Sequence, residues 1–194
     1  MNLTFDTNCI ITLEENRPAA PDLKTLISLH NSQAINVRVI GISASERKTD
    51  HTYASTFTEF QQKIAAVGLG HMEILQPIAY WAITFFDWSI WADDRMIDLE
   101  RAIHNVLFPQ DDFNYLDLCN KRGIDPNSSK IDRKWRNRKC DVLAMWCHIY
   151  YNGDIFVTED ENFTTTKMPD LIALGAGDIL EPKDALIKIN HAQP

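Results

Sequence analysis

The chain has 194 residues, of which 45% are hydrophobic and 24% are charged. This length fits a single domain over 1–194 whose core needs no disulfide or structural metal, and the composition excludes disordered, collagenous and coiled-coil proteins. The net charge of −8 argues against a surface that is wholly a nucleic-acid footprint, although it is compatible with a local basic patch.

The sequence indicates neither a membrane protein nor an exported one. The longest apolar stretch, 78–86, has nine residues, whereas a membrane-spanning helix needs about 20. The N-terminal segment lacks the basic region of a signal peptide. The four cysteines lack the spacing of a metal site, so we expect reduced thiols in a cytoplasmic protein with no membrane partner.

Strand and helix patterns alternate in the first part of the chain. Runs of β-branched and apolar residues predict strands, and apolar residues at helical spacing predict helices between them. Asn8 is the expected N-cap of the first helix. The predicted strands are 2–5, 35–43 and 71–78, and the predicted helices are 9–16, 22–31 and 58–68.

Residues 79–131 form an aromatic-rich middle segment, which we expect to be a helical insertion. Its clearest element is an amphipathic helix at 94–107. Trp81, Phe85 and Trp88 stand at i, i+4 and i+7, and this spacing predicts one helical face. We expect that face to pack in the core or against a second copy, in preference to acting as a base-stacking platform.

Alternation resumes in the last third of the chain. A helix is predicted at 140–153, a strand at 154–160, a further short strand within 171–182, and a terminal helix at 182–189. Strands that alternate with helices along a whole chain are typical of a doubly wound α/β fold. We therefore predict a central parallel sheet.

Four acidic residues are predicted to meet at one edge of this sheet. Asp6 and Asp160 follow predicted strands, Glu46 comes shortly after another, and Asp141 opens the helix that leads to the strand before Asp160. Carboxylates at close range repel one another, and a hard cation such as Mg²⁺ or Mn²⁺ relieves that repulsion. No His or Cys joins the set, which argues against zinc. Taken singly, each acid also fits a cap, a first-turn or a loop position.

These residues resemble the PIN-domain ribonucleases, the family that includes the bacterial VapC-type toxins. The resemblance is carried by the motifs LTFDTN, VIGISASE, CDVLAMWC, FVTEDENF and LGAGDILEP, which cover the first and last thirds of the chain. It implies a three-layer α/β/α sandwich with a central parallel sheet, enlarged here by the helical segment 79–131. It also implies the toxin of a toxin–antitoxin pair, with an antitoxin protein and a second copy of the chain as partners.

The resemblance implies hydrolysis of RNA phosphodiester bonds with Mg²⁺ or Mn²⁺. It assigns the metal to Asp6, Asp141 and Asp160, and it makes Glu46 a ligand or a group that orients the attacking water. Glu59 competes with Glu46 for this second position, because it also lies near a helix start. The supporting residues are Asn8, in the polar position after the first acid, and Thr158, in a Thr-x-Asp position.

A basic run directly precedes Asp141 and is a candidate RNA-binding surface. Cations beside a metal site can bind phosphates, and Trp135 within the run can stack on a base. A solvated loop or helix start that offsets its acidic neighbours explains the run equally well. The candidate RNA-binding residues are Arg133, Lys134, Arg136, Arg138 and Lys139.

Two other functions remain open at this point. A catalytically degenerate PIN module would bind RNA or a protein partner without cutting. A phosphatase or phosphotransferase would use Asp6 as its nucleophile, but the second aspartate that such enzymes carry two residues later is here Asn8.

Overall fold

A five-stranded parallel sheet lies at the centre of the computed structural model, which describes residues 1–42, 56–127, 131–164 and 166–192. The strand order is β3-β2-β1-β4-β5, and every pairing is parallel. The predicted α/β fold with a central parallel sheet is therefore confirmed. The strands are β1 (Asn2–Phe5), β2 (Asn36–Ile40), β3 (Glu73–Leu75), β4 (Ile155–Val157) and β5 (Asp178–Leu180).

Helices cover both faces of the sheet. They are α1 (Thr7–Glu14), α2 (Ala20–Asn31), α3 (Phe57–Ala66), α4 (Asp94–Leu107), α5 (Tyr115–Arg122), α6 (Arg133–Tyr150), α7 (Glu161–Thr164), α8 (Met168–Ala173) and α9 (Pro182–Ala192). A short 3-10 helix spans Phe86–Trp88. No helix in these described segments is long and apolar enough to cross a membrane.

Side chains that alternate along the strands build a separate core on each face. Phe5, Val39 and Val157 pack with residues of α1, α2, α3 and α9. On the opposite face, Phe156 and Ile179 pack with residues of α4, α6, α7 and α8. This alternation is what a parallel sheet buried on both sides requires. The result is a three-layer α/β/α sandwich, as predicted.

The helical face predicted for Trp81, Phe85 and Trp88 is wrong. The chain from 77 to 90 is a loop closed by backbone hydrogen bonds from Ile90 to the Pro77 carbonyl (3.0 Å) and from Ala79 to the Ile90 carbonyl (2.9 Å). Within it, Trp88 stacks on Phe57 of α3 at 4.3 Å between ring centroids. Trp81 is 81% exposed instead. Loop closure and stacking on α3, both long-range contacts, override the local spacing.

Helix α6 begins seven residues earlier than predicted. Its N-cap is Asp132, whose side chain accepts a hydrogen bond from the Trp135 amide at 2.9 Å. Asp141 therefore lies in the middle of a helix of 18 residues rather than at its start. The N-cap of α1 also differs from the prediction, since Asp6 and not Asn8 occupies it. In both cases an aspartate at a strand end or loop end supplies the cap.

Candidate functional site

Asp6 is a buried carboxylate at the carboxyl end of the central strand β1. Its side chain is 5% exposed. It accepts hydrogen bonds from the Thr7 amide (2.7 Å), the Thr158 hydroxyl (2.7 Å) and the Asn8 amide group (3.3 Å). The supporting roles expected of Asn8 and Thr158 therefore correspond to direct contacts with this acid. Three donors hold its two oxygens in one orientation.

Burial raises the pKa of Asp6 to about 6. The hydrogen bonds from Thr158, Thr7 and Asn8 oppose this rise, because they stabilise the ionised form, while the charge of Asp160 adds to it. The pKa of this carboxyl group stays high although three hydrogen-bond donors stabilise its ionised form, because no positively charged group among the described residues acts on it. A bound cation would supply one.

Thr158 joins Asp6 to the segment that carries Asp160. The threonine side chain is fully buried, and its Oγ1 donates to Asp6 and accepts from the Asp160 amide at 3.0 Å. One oxygen of Asp160 accepts from the Asn162 amide at 2.8 Å. Since β1 and β4 are paired neighbours, the two acids that follow them meet at the same edge of the sheet.

A cavity of about 470 Å³ contains two of the predicted acids, Asp141 and Asp160. Lys134 and Arg138 from the predicted basic run also line it. The sequence prediction missed the remaining lining residues, although Asn137 lies one helical turn before Asp141 and could have been found by that spacing. Those residues are Phe108, Asn137 and Asn162.

The three described acids do not converge on a single point. In the part of the chain that the structure describes, no group of three or more His, Cys, Asp or Glu side chains could hold a metal ion. Asp6 and Asp160 are linked through Thr158, and Asp141 and Asp160 share the cavity. The predicted second acid, Glu46, lies outside the described residues. Glu59 lies in the first turn of α3.

The donor chemistry of this edge fits a hard divalent cation. Asp6, Asp141 and Asp160 offer only oxygen atoms, which Mg²⁺ and Mn²⁺ prefer. The thiol of Cys9, three residues after Asp6, already donates to the Val157 carbonyl at 3.2 Å, and burial raises its pKa. Its sulfur therefore does not change the preference for oxygen ligands.

The predicted basic run occupies the first two turns of α6 and is only partly available at the surface. Arg133 and Lys134 are exposed, and Arg136 is half-buried. Arg138 forms an ion pair with Asp111. Lys139 is 2% exposed and pairs with Glu100 at 2.6 Å. Helical geometry turns Lys139 into the core, so the expected contact of this side chain with RNA conflicts with its position.

Comparisons with family models and with curated proteins give no match. Among solved structures, the chain is similar to VapBC2 from Rickettsia felis bound to a DNA fragment from their promoter. The identity is 12%, the TM-score is 0.46, and the match covers 93% of this chain and 98% of that chain. At this level of identity the match assigns no role to any residue.

Proposed function

We propose that the protein is a PIN-like, metal-dependent endoribonuclease that hydrolyses RNA phosphodiester bonds. The observation that carries the proposal is the pairing of two acids through Thr158, with Asp6 buried and hard to ionise and Asp160 facing a cavity it shares with Asp141. Such an edge suits a cation and a phosphate together, because the carboxylates attract the first and the nearby cationic side chains attract the second.

Asp6, Asp141 and Asp160 would hold Mg²⁺ or Mn²⁺, with Glu46 as a further candidate. When bound, the ion would supply positive charge for the phosphate oxygens and lower the pKa of a coordinated water. Thr158 and Asn8 fix the orientation of the Asp6 oxygens through their hydrogen bonds. Lys134, which lines the cavity, would attract the RNA backbone.

The test of this proposal is an Asp6→Asn variant. We expect it to lose at least about 100-fold of the cleavage of single-stranded RNA with Mg²⁺ or Mn²⁺, because it removes a charged oxygen ligand. Asp184→Asn is the matched control, since this exposed aspartate lies in the first turn of α9. Cleavage at the wild-type rate by Asp6→Asn would remove this residue from the mechanism.

A second candidate is a PIN-like module that binds RNA or a protein without cutting it. The absence of a three-member ligand group among the described side chains favours this alternative. Titration of the protein with Mn²⁺, followed by calorimetry, separates the two functions. Binding that Asp160→Asn weakens supports the nuclease, whereas no binding at millimolar Mn²⁺ supports the non-cutting module.

The partners and setting that accompany this proposal are those of a toxin. We propose a cytoplasmic protein whose 194 residues form one domain and whose partners are RNA, an antitoxin protein and a second copy of the chain. A small neighbouring gene for a DNA-binding protein would support the toxin pair. Its absence would favour a nuclease of RNA processing.

A further inference from the structure

The middle segment and the start of α6 enclose a groove of about 550 Å³. Its walls are predominantly aromatic and aliphatic. The residues that matter for the argument are Tyr80, Trp81, Tyr115, Leu116, Ile131 and Trp135. We call this feature the aromatic groove.

The aromatic groove and the acidic cavity lie on adjoining parts of α6. Trp135 lines the groove, and it also lines a narrow crevice together with Lys134 and Arg138. Lys134 and Arg138 in turn line the cavity of Asp141 and Asp160. Trp135 and Asp141 are separated by about 9 Å along the helix axis, at about 1.5 Å per residue, and their side chains leave the helix about 120° apart around that axis. Lys134 and Arg138 lie between these two directions, so an extended ligand that occupies both places would cross them.

Trp81 lines the groove and is also highly exposed to solvent. Its side chain is 81% exposed, and Phe86 supports it edge-on with ring centroids 5.6 Å apart. An exposed indole face gains free energy when a flat ring stacks on it. Nucleobases are such rings, and every base offers a π face whatever its sequence.

Among the described residues that line the groove only Asp117 is charged, so the positive charge that a phosphate needs comes from neighbouring residues of α6. Arg133 and Lys134 are exposed, and within the described residues neither belongs to an ion pair. Their basic neighbours are neutralised, since Arg122 pairs with Asp132 at 3.0 Å and Arg138 pairs with Asp111. Of the first two cations, Lys134 lines both the acidic cavity and the crevice that Trp135 also lines, so it is the one placed to complement a phosphate between the groove and the cavity.

Polar groups on the groove wall complement the edge of a base. Asn114 donates to Asp117 at 3.3 Å, and both side chains are exposed. Asn127 completes this polar side of the groove. Amide and carboxylate groups beside an aromatic ring are the usual means by which proteins bind unpaired bases of RNA.

We propose that the aromatic groove binds an unpaired nucleobase of the same RNA strand whose backbone lies at the acidic cavity. This inference rests on the proposed function and narrows its substrate to RNA that is single-stranded next to the cleaved bond. A base inside a duplex cannot enter the groove, because both of its faces are stacked on its neighbours.

The experiment compares two exposed tryptophans of the middle segment. Trp81 lines the groove, whereas Trp91 is 79% exposed and contacts the same Phe86 ring without lining it. Binding of a labelled ten-nucleotide single-stranded RNA is measured by fluorescence anisotropy in EDTA, where metal-dependent cleavage is absent. Trp81→Ala should weaken binding by about 5- to 100-fold, Trp81→Phe should restore part of it, and Trp91→Ala should change it by less than about twofold.

The outcomes distinguish an RNA base from a second copy of the chain as the occupant of the aromatic groove. Equal weakening by Trp81→Ala and Trp91→Ala, or no weakening by either, overturns the inference. If RNA binding is unchanged and Trp81→Ala shifts the sedimentation of the protein to a smaller mass, the groove is an interface between copies of the chain. Wild-type protein should also bind the single strand at least about tenfold more tightly than the same RNA in a duplex, and equal affinities contradict the inference.

Failure of this inference is distinguishable from failure of the proposed function. The binding assay contains no metal, so a groove that binds RNA in a protein that never cleaves it would contradict the nuclease alone. Cleavage that Asp6→Asn abolishes and Trp81→Ala leaves unchanged, together with unaltered RNA binding by Trp81→Ala, would contradict the groove alone.

Discussion

Burial of the Asp6 carboxylate lowers the stability of the folded chain at neutral pH. Its pKa rises from 3.8 to about 6 on burial, and a shift of this size corresponds to about 3 kcal/mol. An acid whose pKa is higher in the folded than in the unfolded chain is harder to ionise after folding, so its ionisation opposes folding. This penalty is absent below about pH 4 and is complete above about pH 6.

Asp6→Asn should therefore stabilise the protein at neutral pH. In EDTA we expect the free energy of unfolding at pH 7.5 to increase by about 1–3 kcal/mol, because the variant has no charge to bury. At pH 4 the two proteins should differ by much less. Urea denaturation at both pH values measures the free energy of unfolding of each protein. Groups that titrate alike in the wild type and the variant, such as His148, contribute nothing to the difference between them. Equal stability at pH 7.5 would contradict the burial argument.

Gly153, which follows α6, lies where a larger residue would clash with the core. A Cβ at this position would lie 2.1 Å from Nδ1 of His148. The His148 ring is fully buried, and its Nε2 donates to the Ala176 carbonyl at 2.6 Å, so the ring has nowhere to move. Only glycine leaves room for the imidazole there.

Gly153→Ala should lower the free energy of unfolding by about 2–4 kcal/mol, since it forces an atom into a packed core. The double variant Gly153→Ala/His148→Ala removes the ring as well. It should therefore be destabilised by less than the sum of the two single variants. Thermal unfolding of all four proteins gives the coupling energy, and strict additivity would show that the clash is relieved elsewhere.

Helices α4 and α6 are joined by a buried polar network rather than by apolar contacts alone. The Lys139 ammonium pairs with Glu100 at 2.6 Å, and the Tyr80 hydroxyl donates to the other carboxylate oxygen at 2.7 Å. Burial lowers the pKa of Lys139, and the charge of Glu100 opposes that effect. The network fixes the helix that carries Asp141 against the middle segment.

Removal of one charge from the Lys139–Glu100 pair should lower the free energy of unfolding by more than removal of both charges. Lys139→Met leaves Glu100 buried and uncompensated, and we expect a loss of about 3–5 kcal/mol. Lys139→Met/Glu100→Gln retains an acceptor for Tyr80 and should recover at least about 1 kcal/mol. Chemical denaturation near pH 7 is the measurement. A double variant less stable than Lys139→Met would contradict this account.

The sequence predicts elements well where periodicity is local. The strand at 2–5 and the helix at 94–107 have the predicted bounds, because hydrophobic alternation and helical spacing report directly on burial. The start of α6 was missed because its cap lies within a charged run that lacks apolar periodicity. The loop of Trp88 was missed because its contact with Phe57 spans 31 positions of sequence.

The topology of the molecule follows from the alternation of strands and helices, but the geometry of the site does not. Asp6 and Asp160 were placed at one sheet edge from strand ends alone, and the structure links them through Thr158. The position of Asn137 in the cavity and the burial of Lys139 both depend on which face of α6 packs against the core. The basic run contains no pattern that predicts this face. The aromatic groove depends on packing between α5, α6 and the loop of Tyr80.

The central strand has a consequence for synthesis of the chain. Leu3 of β1 pairs with Ile155 of β4, and the Asp6 amide donates to the Val157 carbonyl at 3.1 Å. Strand β1 is synthesised first, but it cannot pair with β4 until β4 has been synthesised near the end of the chain. Contacts so distant in sequence form late in folding. A nascent polypeptide cannot assemble the edge that holds Asp6 and Asp160 until roughly four-fifths of it has left the ribosome.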